Sequence, residues 1–461
     1  MHADPSRSRL SRRRFLGAAA GSAAVVAAGG LTAFLARSAS AAKPGGAVTR
    51  YPLRRLDVVS PGALRAAPGR VSVGGKDATG LLYNGTLPGP VFQARSGDPV
   101  SITFSNALDE PTTVHWHGLV VPTEVDGQPQ DPVAAGSQFI YAFTVRQRAG
   151  MSWYHPHPDM ATSSQVALGL AGGFVIRDAE EDALGLPAGA FEVPLVLRDA
   201  SFDRAGNLSY NGTASGFAGK TLLVNGVRDP YLDTSPAVHR FRILGGSNSR
   251  VFRLALSNGA PFTLIGNDGG LLPAVASVSE IELSPGERVD VLVDLRSAGG
   301  STVSLRDLNS GWTLLELRVA GGTSAGSLPT GALSSVPSLG APARTRTFSF
   351  DGMTRINGQL FEMERIDFEV NAGDVEDWTF STNGNAPHPV HIHGASFQVV
   401  SRTGGRGRLF PWEAGWKDTV LLNDGETVTV RIRFDLTGRY MIHCHKLEHE
   451  DAGMMTNFLV V

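Results

Sequence analysis

The sequence predicts an all-β protein built as several β-sandwiches in one chain. Three observations carry this expectation. Strand-like segments are short and dense, turn residues punctuate them throughout, and no long segment beyond the N-terminus has the 3.6-residue apolar period of a helix. Of 461 residues, 42% are hydrophobic and 18% charged, which supplies substantial cores and argues against disorder. The 55 glycines and 27 prolines provide the turns that many short strands need.

The first 41 residues read as an export signal rather than as fold. Arg12, Arg13 and Arg14 precede an uncharged, Ala- and Gly-rich stretch from Phe15 to Ala36, and Ala39-Ser40-Ala41 offers a small-residue cleavage site. This is the pattern of a twin-arginine signal, so that export machinery is an expected partner. The mature chain is then expected in the periplasm, at the cell surface or outside the cell. An uncleaved membrane anchor is the competing reading, but Ala and Gly are weakly apolar and a cleavage site follows. Cleavage removes Arg7, Arg9, Arg12, Arg13, Arg14, Arg37 and Asp4, leaving 35 basic and 42 acidic residues and a net charge of −7. That charge disfavours nucleic acid as a partner.

The remaining 420 residues divide into three blocks of about 140, close to the usual domain size. Val100–Phe104 and Gln138–Val145 in the first, Val289–Leu295 in the second and Thr427–Phe434 in the third alternate or run β-branched, as strands do. An internal echo supports repetition. Asn84-Gly85, Asn225-Gly226 and Asn357-Gly358 each follow a strand-like residue, and each is followed by a Gly-containing turn: Ser96-Gly97-Asp98, Ser284-Pro285-Gly286-Glu287 and Ala372-Gly373-Asp374. The stretches Asp178–Gly189 and Gly321–Ala343 suit linkers, giving expected blocks 42–187, 188–335 and 336–461.

Histidine is the chemical signal. Ten of twelve histidines fall in four clusters: His115 and His117; His155 and His157; His388, His391 and His393; His443, His445 and His449. On an extended strand, residues i and i+2 share a face, so each His-x-His presents two imidazoles together. Eight such imidazoles could surround a compact metal cluster between the first and third blocks. His239 has no partner motif and reads as structural. The single cysteine excludes disulfides within the chain and any Cys-rich metal framework. Cys444 sits between His443 and His445, so it faces away from them. Cys444, His449, one further histidine and Met454 form the ligand set of a blue-copper electron-transfer centre; zinc is the competing metal, but the thioether and lone thiolate match copper better.

These motifs resemble those of three-domain multicopper oxidases of the bacterial laccase and copper-efflux type. The resemblance rests on Tyr83–Val91, His115-Trp116-His117-Gly118, Ser284–Arg288 and His443–Asp451, and it spans essentially the whole mature chain. It implies three consecutive cupredoxin-like Greek-key β-sandwich domains and four copper ions. By motif position, type 1 copper would take His388, Cys444, His449 and Met454, and type 2 copper His115 and His391. The type 3 pair would take His117, His155, His157, His393, His443 and His445. Met455 adjoins the axial position, but the family offset favours Met454.

The implied reaction is four one-electron oxidations of a small-molecule donor, coupled through Cys444 to reduction of O2 to two waters. Asp126 and Glu450 stand where such proteins keep acidic proton donors; a turn role for Asp126 and a hydrogen-bonding role for Glu450 are the plainer alternatives. Phenols and related donors are the expected substrates. Oxidation of Cu(I), Mn(II) or bilirubin is the alternative, and a non-enzymatic cell-envelope scaffold the remote one. The chain's 8 methionines form no Met-rich insert, and Thr382–Pro387 lacks an acidic residue, which argues against a dedicated cuprous oxidase. Completeness of the ligands argues against a scaffold.

Overall fold

The computed structural model describes residues 48–382 and 387–461. The expected export signal and residues 383–386, ahead of His388, lie outside the described residues. Among the described residues, six sheets pair as three cupredoxin-like Greek-key sandwiches in chain order, the all-β architecture the sequence predicts. The first has a sheet of Asp77–Tyr83, Ala63–Ser72, Pro99–Asn106 and Gln138–Thr144, and another of Val58–Val59, Val91–Arg95, Gly172–Arg177 and Gly150–Tyr154. In the middle sandwich the larger sheet centres on Glu192–Phe202, Val238–Gly245 and Arg288–Asp294. The strand Tyr51–Pro52 crosses to this sandwich and pairs parallel with Pro230–Thr234. In the third, Gly438–Cys444 lies between Met455–Val460 and His388–Ile392, which in turn pairs with Thr419–Leu422.

Burial explains these strands. Thr427–Arg433 alternates because Val428, Val430 and Ile432 enter the third core while their neighbours stay partly exposed. Arg288–Asp294 is buried almost throughout because it is flanked by two strands and covered on both faces, and its buried charges Arg288 and Asp290 are paired with Asp418 and Arg240. Each sandwich has its own core: around Phe92, Trp116 and Phe174 in the first, Leu195, Phe252 and Val291 in the second, Trp378, Phe380 and Phe458 in the third. A further apolar cluster of Val91, Trp153, Val196 and Leu244 joins the first two.

The three echoed turns are structurally equivalent. Asn84, Asn225 and Asn357 have φ of 50°, 51° and 51°, and the following glycines 74°, 76° and 72°. Two successive left-handed residues make the hairpin turn for which Asn-Gly is the favoured pair. In each, the Asn Oδ1 accepts from a strand N–H: Arg65 at 2.7 Å, Val196 at 2.8 Å and Ser349 at 2.8 Å.

Among the described residues the α-helices are three short segments, Thr162–Ala167, Ala179–Ala183 and Leu447–Asp451. None spans two full turns, so tertiary contacts rather than propensity hold them. No helix of the described residues is long and apolar enough to cross a membrane.

Candidate metal centre

Strand pairing brings the histidines together before any side chain is considered. In the first sandwich His115 and His155 exchange backbone hydrogen bonds of 2.8 and 3.2 Å. In the third, His391 lies directly opposite His443, and the His445 N–H donates to Pro389 O at 2.6 Å. Alternation then sends all eight imidazoles of the four pairs to one interface between the two sandwiches. Cys444 points the other way, into the third core with Val390 and Ile442.

The expected ligands assemble into buried groups: His115, His117 and His391; His117, His155 and His445; His157, His393 and His443; and His388, Cys444 and His449. His115 Nε2 lies 3.4 Å from His391 Nε2, His155 Nε2 3.4 Å from His445 Nε2, and His443 Nε2 3.4 and 3.1 Å from His157 and His393 Nε2. Two nitrogens on one ion, each bonded at about 2.0 Å, stand roughly 3.3–3.5 Å apart, so these spacings fit shared cations. Cys444 Sγ lies 3.4 Å from His388 Nδ1 and 3.6 Å from His449 Nδ1, and those nitrogens are 3.2 Å apart. The donor set of one thiolate and two imidazoles fits copper.

Met454 belongs to the same buried cluster as Cys444, whereas Met455 packs with Phe361 and Met441 in another. The backbone ties it to both ligands: Cys444 N–H donates to Met454 O at 3.1 Å, and Met454 N–H to His449 O at 2.9 Å. The helix Leu447–Asp451 makes this possible. One helical turn folds the chain back after Cys444, so His449 returns to the sulfur and the strand resumes at Met455.

Electrostatics keeps the nitrogens free to bind. Burial, reinforced for most by repulsion from neighbouring histidines, pushes His117, His155, His391, His393, His445 and His449 well below the usual imidazole range. Burial likewise takes His157 down to about 4. At neutral pH these rings carry lone pairs rather than charge. Burial pushes the Cys444 thiol up to about 12, so a metal must displace its proton.

Asp126 and Glu450, the two expected acidic residues, lie against the histidines. Asp126 is fully buried; its Oδ2 is 2.7 Å from His393 Nδ1, and its main-chain O is 2.9 Å from His115 Nδ1. Glu450 lies 3.1 Å from His443 Nδ1 and 3.4 Å from His157 Nδ1. Burial opposes its charge, but the adjoining His157 and His443 outweigh it and hold the carboxyl down at about 2. His239 stays apart, bonded to Thr234 and Ser235.

Sequence reasoning overlooked Asp418, whose Oδ1 is 2.9 Å from His117 Nε2. The available signal was the pair Lys417-Asp418 opening the apolar run Thr419–Leu422. A cavity of about 380 Å³, lined by Gly118, Ser152, Asp268, Gly394 and Trp416, reaches the backbone next to His117 and His393. None of the type 1 candidates lines it.

The chain matches known proteins along most of its length. Residues 66–181 and 335–461 match sequence profiles described as multicopper oxidase. A multicopper oxidase of Staphylococcus haemolyticus is 36% identical over 384 residues, covering 81% of this chain and 82% of that protein. A bilirubin oxidase of Albifimbria verrucaria is 35% identical over 84% of this chain and 73% of its own length. The cell division protein FtsP of Shigella dysenteriae is 34% identical over 82% and 84%. Among solved structures, a multicopper oxidase from Pediococcus acidilactici superposes with a TM-score of 0.85 at 34% identity, covering 90% of this chain and 92% of that one.

Proposed function

From the premise that this chain belongs to the multicopper oxidase family and is an oxidoreductase using O2, we propose that it is an exported, laccase-like oxidase of phenolic and related donors. Type 1 copper is held by His388, Cys444, His449 and Met454, type 2 by His115 and His391, and the type 3 pair by His117, His155, His157, His393, His443 and His445. Bound copper supplies reversible one-electron chemistry, through which four electrons from donors reduce O2 to two waters.

The observation that carries this reading is the strand Gly438–Cys444 and its continuation. Cys444 belongs to one group of donors while its covalent neighbours His443 and His445 belong to two others. Asp126, with Oδ2 beside His393, and Glu450, between His157 and His443, are the acidic groups placed to pass protons to the site, each accepting a proton from the solvent side and handing it on within a dry interior. The β-sandwich scaffold, with the short helix Leu447–Asp451, keeps the ligand atoms at fixed spacing, which limits reorganisation during electron transfer. The cavity beside Gly118 and Gly394 is lined by none of the type 1 candidates, so the donor is oxidised elsewhere than in that cavity. The three cores support three sandwiches in chain order, with Leu53, Leu184 and Leu186 packing on the middle one; the division proposed is at 187/188 and 335/336, and residues 1–41 direct twin-arginine export.

O2 uptake by the copper-loaded protein, tested with phenolic, Cu(I), Mn(II) and bilirubin donors, decides the matter. Fastest turnover with phenols supports the laccase-like reading. A preference for a metal ion or bilirubin replaces it, and no uptake with any donor at full copper loading overturns oxidase function.

A further inference from the structure

The middle sandwich carries none of the clustered histidines, yet its motif Ser284–Arg288 ends in a residue that reaches them. We infer that Arg288 is a positioning residue for the three-copper site: by clamping Asp418 it fixes which ring nitrogens of His117 and His391 face the metal. This inference rests on the copper reading above.

Arg288 is 1% exposed, and all five of its side-chain N–H groups have acceptors. Nε donates to Met151 O at 2.8 Å, in the first sandwich. Nη1 donates to Gly286 O at 2.8 Å and Nη2 to Asp268 O at 3.1 Å, both in the second. The same two nitrogens grip Asp418 of the third, Oδ1 at 2.7 Å and Oδ2 at 2.5 Å. One guanidinium therefore joins all three sandwiches, with the planar two-point geometry that Lys cannot reproduce.

Besides the Thr419 hydroxyl on Oδ1 at 2.9 Å and the Ile392 N–H on its main-chain O at 3.2 Å, Asp418 accepts from two histidines. Its Oδ1 accepts from His117 Nε2 at 2.9 Å, and its main-chain O accepts from His391 Nδ1 at 2.8 Å. His117 is thereby held with its proton on Nε2, and its Nδ1 is the buried nitrogen without a hydrogen-bond partner. His391 is held with its proton on Nδ1, and its Nε2 faces His115. The two rings stack at 3.7 Å with 12° between planes, so opposite tautomers lie side by side. Gly118 makes room for the clamp: its φ is +85°, and a Cβ there would meet Arg288 Nη2 at 2.5 Å and Asp418 Oδ2 at 2.6 Å. Lys417 adds a parallel tie to Asp268 and Glu287, at 2.8 and 3.1 Å.

The test compares the copper-loaded wild type with Arg288→Met, Arg288→Lys and Asp418→Asn. Copper per chain, blue absorption per chain and the electron paramagnetic resonance of the type 2 ion are measured. The expected result is a loss of about 10–100-fold in copper affinity at the cluster, with an altered type 2 signal, while blue absorption stays at the wild-type level. Where Arg288→Met does not fold, Arg288→Lys and Asp418→Asn give the same readings on chains that keep a buried polar group. Unchanged cluster copper and type 2 signal in the folded variants overturns the inference. Equal loss of blue and cluster copper also overturns it, because it makes Arg288 a general structural tie. A wild type that takes up no cluster copper instead refutes the copper reading itself.

Discussion

Replacing Asp126 by Asn separates proton supply from ligand positioning. Asp126 is completely buried, and its Oδ2 sits 2.7 Å from His393 Nδ1, with Gln128 Nε2 donating to the same oxygen at 3.3 Å. The carboxamide is nearly isosteric, and its oxygen can still accept from His393, so copper content is expected to stay near the wild-type value. It cannot carry a proton. A positioned acid–base group contributes typically about 10²–10⁴ in rate. At about 1.4 kcal/mol per tenfold, that is roughly 3–5 kcal/mol of barrier. O2 consumption at saturating donor, with copper measured on the same samples, should show kcat down by that factor at unchanged metal content. Asp126→Ala removes the acceptor as well, and should also weaken copper retention by about 10–100-fold. If Asp126→Asn retains kcat within twofold at full copper, Asp126 supplies no protons and only orients His393.

Cys444→Ser should remove the blue absorption and donor turnover together, read by spectroscopy and O2 uptake; retained turnover would refute the path proposed through that residue. The metal-free protein should lose stability on acidification. His157 titrates near 4 folded against an ordinary 6.5 unfolded, so its contribution of roughly 3 kcal/mol is present above about pH 6.5 and lost as pH falls towards 4. Thermal melts across that window check this, and copper should restore stability because it competes with protons for the same nitrogens. Asn225→Ala should cost about 2 kcal/mol or more in chemical denaturation. It leaves Val196 N–H without its acceptor, breaks bonds to Arg54 and Pro194 carbonyls, and places Ala at a positive φ.

Much of the site was legible because it depends on short-range periodicity. A His-x-His on a strand fixes a shared face whatever the rest of the chain does, and the same alternation sends Cys444 to the opposite side. The strands at Gln138–Thr144 and Thr427–Arg433 were equally readable, the first as a short run rich in aromatic and β-branched residues, the second because it alternates polar and apolar residues against one core. The helix Leu447–Asp451 was not. Its buried His449 and Glu450 answer to the ligand groups, and its buried Glu448 to Asn248 and Ser249, rather than to a 3.6-residue apolar stripe. Lys417 and Asp418 also escaped notice, because a charged pair at a strand start ordinarily points to solvent. Here both are buried, compensated by Asp268, Glu287 and Arg288 from another sandwich.

The sequence by itself determined the all-β class, the repeated Asn-Gly turns and the pairing of donors two by two, because each follows from contacts within a few residues. Only the tertiary structure decided which pairs share a group, which nitrogen of each ring is free, and that the middle sandwich, which carries none of the clustered histidines, reaches the centre through Arg288. Those outcomes depend on residues more than a hundred positions apart in the chain, such as Arg288 and Asp418, meeting in a dry interface. Such meetings are fixed by how whole sandwiches pack, and no local pattern encodes them.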